Sequence, residues 1–403
     1  MLIRTQARKA SILSNSSYQT GRNSDHSQQA PLVAHGLFSY QIGGSERVGA
    51  DLAIEFKRRG YEVVCFALYD TDGPIRSELE ANGIRCLDLN YETRRPPWRR
   101  ITYQLEFFRF LKSQRIDSLV VHHATALVLC GIPAWFAKVR RVVMIEHAIH
   151  QLRERPRYLR SAMRYCRFAD VITGVDQQIV DFFRDEMKVP AAKLRYVPNG
   201  VRLQAPNAEI RAQTRTTLGL SPSDFIFLFV GRLQPVKDVP TLLAAVAAMP
   251  PQLRHEMKVL LAGDGPERTR LQEQAKALDI DGTVRFLGAR SDVDKLLHAA
   301  DAFVMTSVTE GQPMALIEAM AARVPCVATS VGGIPALLRD GAGLLAKPSQ
   351  PNEIAEAMTA MMASSELRSS CAVTAQARIE SQHSLDRVVD TYLSELELPN
   401  CFT

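Results

Sequence analysis

The feature that most constrains this chain is a cycle repeated along most of its length: a short Val/Ile-rich run, a Gly-containing turn, then an amphipathic stretch. "PLVAHGL" (31–37), "YEVVCFALY" (61–69), "GIRCLDL" (83–89), "IDSLVVHH" (116–123), "VRRVVMIEH" (139–147) and "ADVITGV" (169–175) each read as a strand. "RVGADLAIEFKRRG" between the first two reads as a helix stopped by Gly60. Apolar strands alternating with helices predict parallel sheets covered on both faces, an α/β fold. After a polar, irregular link at "KLRYVPNGV" and "RLQAPNAEI" (193–210), a second cycle runs through "FIFLFVGRL", "KVLLAGDG", "TVRFLGA", "DAFVMTS" and "PCVATS" (225–330). Two consecutive doubly wound domains are therefore expected. In such sheets ligands bind beyond the carboxyl ends of the strands, so the turns after each strand are where chemistry should sit.

At 403 residues the chain exceeds one ordinary core, in line with two domains. The expected partition is a flexible, Ser/Gln/Asn-rich tail (1–30), a first domain (31–203), a second domain (204–384) and a closing helical segment (385–403). The longest uncharged apolar run, "ATALVLCGIPAWFA" (124–137), falls short of the about 20 residues a bilayer span needs. No secretory h-region opens the chain. The seven cysteines are scattered without a CxxC pair and read as reduced packing thiols, as in a cytoplasm. The net charge of +6 conceals an asymmetry. Residues 1–202 hold 31 Lys/Arg against 20 Asp/Glu (+11), and residues 203–403 hold 18 against 23 (−5). A basic first half points to an anionic partner surface.

Several strand-end turns carry groups suited to a nucleoside diphosphate. "FVGRLQPVKD" places Arg232 and Lys237 just past a strand, beside Gly231. Fixed cations there would meet the charge that develops on a diphosphate leaving group. Taken alone, the same pair also reads as solvated strand-end cations. "IGGSE" opens a helix with Gly43 and Gly44, which let a ligand approach the backbone. "TSVTEGQPMALIEAMAA" (306–322) reads as strand end, turn and helix, with Pro313 as first helical residue. Glu310 then sits in the turn and Glu318 within the helix. Their eight-residue separation is not one-face spacing, so the two carboxylates should have separate tasks. His147, in "EHAIH", ends a first-domain strand and is a candidate for donation or acid–base work, as are His122 and His123. "DTD" (70–72) and "DVD" (292–294) match a DxD metal spacing, but read as a turn and as a capped helix start with Ser291 as cap. No metal site emerges.

These stretches, with "LLAGDGPE", "VPNGV" and "VRFLGARSDVDKLLHAADAFVMTSVTEGQPMALIEAMAARVPCVATSVGGIP", resemble the retaining GT-B glycosyltransferases of family 4 (group 1), most strongly over residues 193–350. The resemblance implies two Rossmann-like domains facing each other across a cleft, the second binding a nucleoside-diphosphate sugar (UDP or GDP type) and the first a saccharide acceptor. It implies Arg232 and Lys237 on the diphosphate, Glu310 on the donor sugar and Glu318 on the ribose hydroxyls. Gly311, Gln312, Pro313 and Met314 would line the sugar–phosphate pocket, and Gly43 and Gly44 would meet the donor phosphate or sugar. His147 would bond a sugar hydroxyl near the reacting carbon. Neither metal nor cofactor is implied. Two other readings remain: a nucleotide-sugar 2-epimerase of the same fold, and a catalytically silent donor-binding subunit. Where relatives often carry Glu after "VGGIP" this chain has Ala336, and "SYQIGGSE" is long before its glycines.

Two segments of the first half mix arginines with aromatics. "YETRRPPWRRITYQLEFFRFLKSQR" (91–115) holds Arg94, Arg95, Arg99 and Arg100 beside Trp98, Tyr103, Phe107, Phe108 and Phe110, and "QLRERPRYLRSAMRYCRF" (151–168) holds six arginines with Tyr158, Tyr165 and Phe168. The pattern suits peripheral contact with an anionic membrane, hence a lipid-linked acceptor at the inner face of the cytoplasmic membrane. It equally suits a solvated helix face with its aromatics turned inward. No nucleic-acid recognition motif is present.

Overall fold

The computed structural model describes residues 30–89, 97–153 and 155–398. Residues 1–29 of the expected tail, and Arg94 and Arg95, lie outside them. The chain divides into two compact units, Met1–Tyr196 with Thr391–Thr403, and Val197–Asp390. The division falls a few residues before the expected one because the link already belongs to the second unit: Val201 pairs with Ser384, and the Asn199 backbone N–H donates to Gln312 Oε1 at 2.6 Å. The last helix, Leu385–Glu395, runs from the second unit into the first. There Tyr392 Oη meets Thr173 Oγ1, and Glu395 takes Arg195.

The first unit holds seven parallel strands: β1 (Leu32–Leu37), β2 (Glu62–Ala67), β3 (Arg85–Asp88), β4 (Ser118–His122), β5 (Arg141–Glu146), β6 (Val171–Gly174) and β7 (Leu194–Tyr196). Their order is β3-β2-β1-β4-β5-β6-β7. The second unit holds β8 (Phe225–Val230), β9 (Met257–Ala262), β10 (Val284–Gly288), β11 (Ala302–Met305), β12 (Cys326–Thr329) and β13 (Leu344–Ala346), ordered β10-β9-β8-β11-β12-β13 and again parallel. Helices between strands cover both faces, so interior strands such as "FIFLFV" are apolar on successive residues rather than on alternate ones. Neither β7, which falls in the stretch read as an irregular link, nor β13 was expected, since "LRY" and "LLA" are too brief to show a periodicity. In each sheet the winding reverses once, between β1 and β4 and between β8 and β11. Loops leave such a switch point in opposite directions and open a crevice at the carboxyl edge.

The six described cysteines are buried and unbonded; Cys401 lies outside the described residues. Among the described residues no helix is long and apolar enough to cross a membrane. "ATALVLCGIPAWFA" instead forms most of the helix His123–Ala137.

Candidate active site

In the second unit the expected residues gather on the two loops flanking the β8/β11 switch point. After β8 the chain passes Gly231 and exposed Arg232, makes a short turn of 3-10 helix at Pro235–Lys237, and enters the helix Val239–Ala248 through Asp238 in left-handed conformation. After β11, Thr306 Oγ1 donates to the carbonyl oxygens of Lys237 and Asp238, and the Val308 N–H donates to the Val236 carbonyl at 2.9 Å. These bonds lash one loop to the other. The result is an ion pair: Lys237 Nζ lies 2.5 Å from Glu310 Oε1, with 20% and 12% of the two side chains exposed. Ser307 Oγ donates to the same carboxylate oxygen at 2.6 Å. A carboxylate held from two sides on a loop is preorganised, and an ammonium with three donors retains two for an anion.

The third loop, after β12, supports this arrangement from behind. Gly332 has φ +52°, and a Cβ there would lie 1.7 Å from the Glu310 carbonyl oxygen. The Gly333 N–H donates to the Gly311 carbonyl at 3.0 Å. "VGGIP" thus needs its first glycine for backbone conformation and close approach together. Ala336 is exposed on the short helix Ile334–Leu338. Gly311 and Gln312 are half-buried and Met314 buried; Gln312 accepts from the buried Asn199 through Oε1, leaving its amide N–H groups for other partners. Pro313 is the N-cap of the helix Met314–Ala321 rather than its first residue, its ψ of 113° being too extended to count as a helical turn. On that helix Leu316, Ile317, Ala319 and Met320 enter the core while Glu318 is half-buried. Glu318 is neither a core carboxylate nor a fully solvated one.

In the first unit the loops beside the β1/β4 switch point, with that after β5, assemble a histidine cluster. His147 Nε2 and His122 Nδ1 are 2.9 Å apart with rings nearly parallel. Glu146, buried at the end of β5, meets His123 Nδ1 at 2.8 Å and accepts the Ala124 N–H at 2.9 Å and the His147 N–H at 3.1 Å. Burial holds His147 and His122 well below the ordinary histidine pKa, and the neighbouring histidines push the same way. Burial acts to lower His123, but the carboxylates of Glu146, by hydrogen bond and charge, and of Glu46, by charge, together outweigh it and the net shift is upward. Two neutral imidazoles sharing one N–H thus stand beside a histidine that favours its charged form. His35, wholly buried in β1, has hydrogen-bond partners on neither ring nitrogen among the described residues. Burial pushes its pKa down to about 3.

Gly43 is the N-cap of the helix Gly44–Arg58, so that helix begins at the expected glycines. Next to it stands a group the sequence reading passed over. A Cβ at Gly43 would fall 2.3 Å from Glu46 Oε2, a carboxylate that also accepts from Ser45 Oγ. Glu146, Glu46, Ser307 and Asn199 were likewise missed as members of these loops. Glu146 and Asn199 meet partners far away in sequence, Ser307 meets Glu310 in a turn and Glu46 meets the adjacent Ser45, so no local pattern marked them. Of the two DxD matches, Asp292 is gripped by Arg290 at 2.7–2.8 Å, and Ser291 caps nothing: the N-cap is Asp292, without a side-chain cap bond. The helix starts one residue later than the capping reading had it, and the carboxylate of its N-cap, Asp292, is turned to the Arg290 guanidinium instead of to the first N–H groups of the helix. Around Asp70 and Asp72 the chain turns, with Asp70 at positive φ.

Residues 211–378 match the family described as Glycosyl transferases group 1, and residues 42–205 match Glycosyltransferase Family 4. The chain is 26% identical over 364 residues to the N-acetyl-alpha-D-glucosaminyl L-malate synthase of Bacillus anthracis, covering 87% of this chain and 93% of that enzyme. It is 30% identical over 296 residues to the D-inositol 3-phosphate glycosyltransferase of Actinosynnema mirum, covering 66% and 69% respectively. Among solved structures, Anabaena Alr3699/HepE in complex with UDP-glucose superposes with a TM-score of 0.79 at 23% identity, over 91% of this chain and 99% of that one.

Proposed function

The chain belongs to the group 1 glycosyltransferases of GT-B fold, and from that premise we propose that it moves a sugar, with retention of anomeric configuration, from a nucleoside-diphosphate sugar to a hydroxyl of a lipid-linked saccharide. The observation that carries the reading is the Lys237–Glu310–Ser307 cluster at the β8/β11 switch point, with exposed Arg232 on the same loop as Lys237. In this reading Lys237 and Arg232 take the diphosphate, Glu310 accepts from the hydroxyls of the transferred sugar, and Glu318 accepts from the ribose. The backbone from Gly311 to Met314 lines the pocket between them. As the bond from the anomeric carbon to the leaving phosphate oxygen breaks, both electrons pass to the diphosphate. The two cations stabilise that charge where it develops. The acceptor oxygen bonds to the anomeric carbon on the same face, and its proton passes to the departing phosphate.

On the first unit, His147 is assigned to a sugar hydroxyl. The depressed pKa of the His122–His147 pair supports a neutral hydrogen-bonding role rather than one as a cation. Glu46 bears on the part played by Gly43 and Gly44. A carboxylate beside that helix start repels phosphate and accepts from hydroxyls, so these glycines are assigned to the sugar rather than to the phosphate. Because the Anabaena neighbour was solved with UDP-glucose, UDP donors come first for testing. The work site is assigned to the inner face of the cytoplasmic membrane, where such an acceptor would be met.

Calorimetric titration with UDP, GDP and their glucose conjugates, for the wild type beside Glu318→Ala and Arg232→Ala, tests the donor site. One nucleotide should bind, and both substitutions should weaken it at least tenfold. Equal binding by wild type and variants overturns the assignment. Once an acceptor is found, the anomeric coupling constant of the product decides between retention and inversion.

A further inference from the structure

We propose that an exposed aromatic–arginine patch, built by the helices His123–Ala137 and Pro156–Tyr165 and the turn Cys166–Phe168, is the surface by which this enzyme docks on an anionic lipid membrane. The proposal deepens the lipid-linked reading above and rests on it for its biological sense, though not for its geometry. Trp135 and Phe136, at the end of the first helix, are 63% and 61% exposed with ring centroids 4.8 Å apart. The Trp135 ring lies 6.4 Å from that of Phe168, over which the Arg167 guanidinium sits at 4.9 Å. With Ile132 these residues line a cavity of about 510 Å³.

Beside the aromatics, Arg160, Met163, Arg164 and Arg167 recur at three- and four-residue spacing, and all four are exposed, while Ala162 and Cys166 face the core. Among the described residues none of the three arginines has an ion-pair partner. One face therefore offers two large rings and three uncompensated guanidinium groups. Trp and Phe sink into the boundary between headgroups and acyl chains, and arginines beside them meet lipid phosphates. The Trp135 and Phe136 rings stand at 71° to one another and share no common face on which successive bases of a nucleic acid could stack.

Of the two arginine-rich segments singled out in the sequence, 151–168 supplies the arginines and Phe168 of this patch, and 91–115 supplies none of it. In 91–115 the inward-turned reading holds for Tyr103, Phe107 and Phe110, which are buried, Phe107 against Phe66 with centroids 5.1 Å apart. Trp98, Arg99 and Arg100 have side chains outside the described set. The exposed rings come instead from the apolar run that is too short to span a bilayer.

The test is sedimentation of the whole protein with vesicles of one part phosphatidylglycerol to two parts phosphatidylcholine, at low and high salt. Donor binding is measured in parallel. The wild type should bind and be released by salt, as electrostatic attachment requires. In a Trp98→Phe background, which leaves Trp135 as the remaining tryptophan, emission should shift to the blue on binding. Trp135→Ser with Phe136→Ser should weaken binding at least tenfold, and Arg160→Gln, Arg164→Gln and Arg167→Gln about fivefold for each charge removed. All these positions are exposed, so melting temperature and donor affinity should stay at wild-type values. No vesicle binding by the wild type overturns the membrane proposal. Binding that survives the aromatic and arginine substitutions overturns this surface. A dimer in sedimentation velocity that the Trp135→Ser/Phe136→Ser protein loses would make the patch an interface between copies, and would overturn it too. Loss of donor binding in the wild type is a separate result, and counts against the proposed function alone.

Discussion

Replacing Lys237 by Met separates what the Lys237–Glu310 pair does for the fold from what it does for the reaction. The substitution keeps an unbranched stem and deletes the ammonium 2.5 Å from Glu310 Oε1, leaving that carboxylate the Ser307 hydroxyl. An exposed pair is worth about 0–1 kcal/mol, whereas stripping the partner from a buried charge costs about 3–5 kcal/mol. With one side chain 20% and the other 12% exposed, this pair lies between those limits. We expect a loss of about 2 kcal/mol, a fall of about 4–8 °C in the melting temperature of a unit this size. Glu310→Gln, which can still accept from Ser307, should cost about 1 kcal/mol. The double variant should lie near the milder single variant, because once the carboxylate is neutral no buried charge is left uncompensated. The cycle should thus show a coupling of about 1–2 kcal/mol. Turnover should follow another pattern: Lys237→Met should lose about a hundredfold or more in kcat/KM, and the double variant should recover none of it. Additive melting temperatures would refute the coupling. A stability loss with unchanged turnover would reduce the pair to a structural clamp.

Arg232→Ala should show the converse signature, because the side chain is exposed: melting temperature within about 1 °C of wild type, and nucleoside-diphosphate affinity down about tenfold by calorimetry. Gly332→Ala places a side chain at φ +52° and 1.7 Å from the Glu310 carbonyl oxygen, so it should cost about 2–4 kcal/mol in thermal unfolding and weaken the donor through displacement of the Glu310 loop. His35 gives a pH dependence. Its pKa is about 3 when folded and near the ordinary 6.5 when unfolded, so the unfolded chain binds the extra proton and stability is lost as pH falls from 6.5 towards 3. Between pH 7 and pH 5 this should remove about 2 kcal/mol. His122 and His147 add to the loss, while the raised His123 opposes it. His35→Leu, which replaces two unpartnered ring nitrogens by an apolar group, should stabilise the protein at neutral pH and flatten the curve in melts followed across that range.

What the sequence by itself determined is whatever repeats at short range. Val and Ile in runs of strand length, and glycines and prolines between them, specify parallel strands and the turns at their ends, because side-chain direction is tied to backbone conformation within a few residues. The positions of Arg232, Lys237, Glu310, His147 and the paired glycines in strand-end loops were legible for that reason: each stands just beyond an apolar run. The tertiary structure decided which turns meet. Strand order sets β8 beside β11 and β1 beside β4, and only then does Lys237 face Glu310, 73 residues on, or His122 face His147, 25 residues on. It also decided which aromatics see solvent. Tyr103 and Phe107 sit in the same kind of arginine-rich context as Phe168, and whether a ring is covered depends on the helix packed against it. That packing is a long-range property, set by how two elements distant in the chain share one core, and no local spacing encodes it.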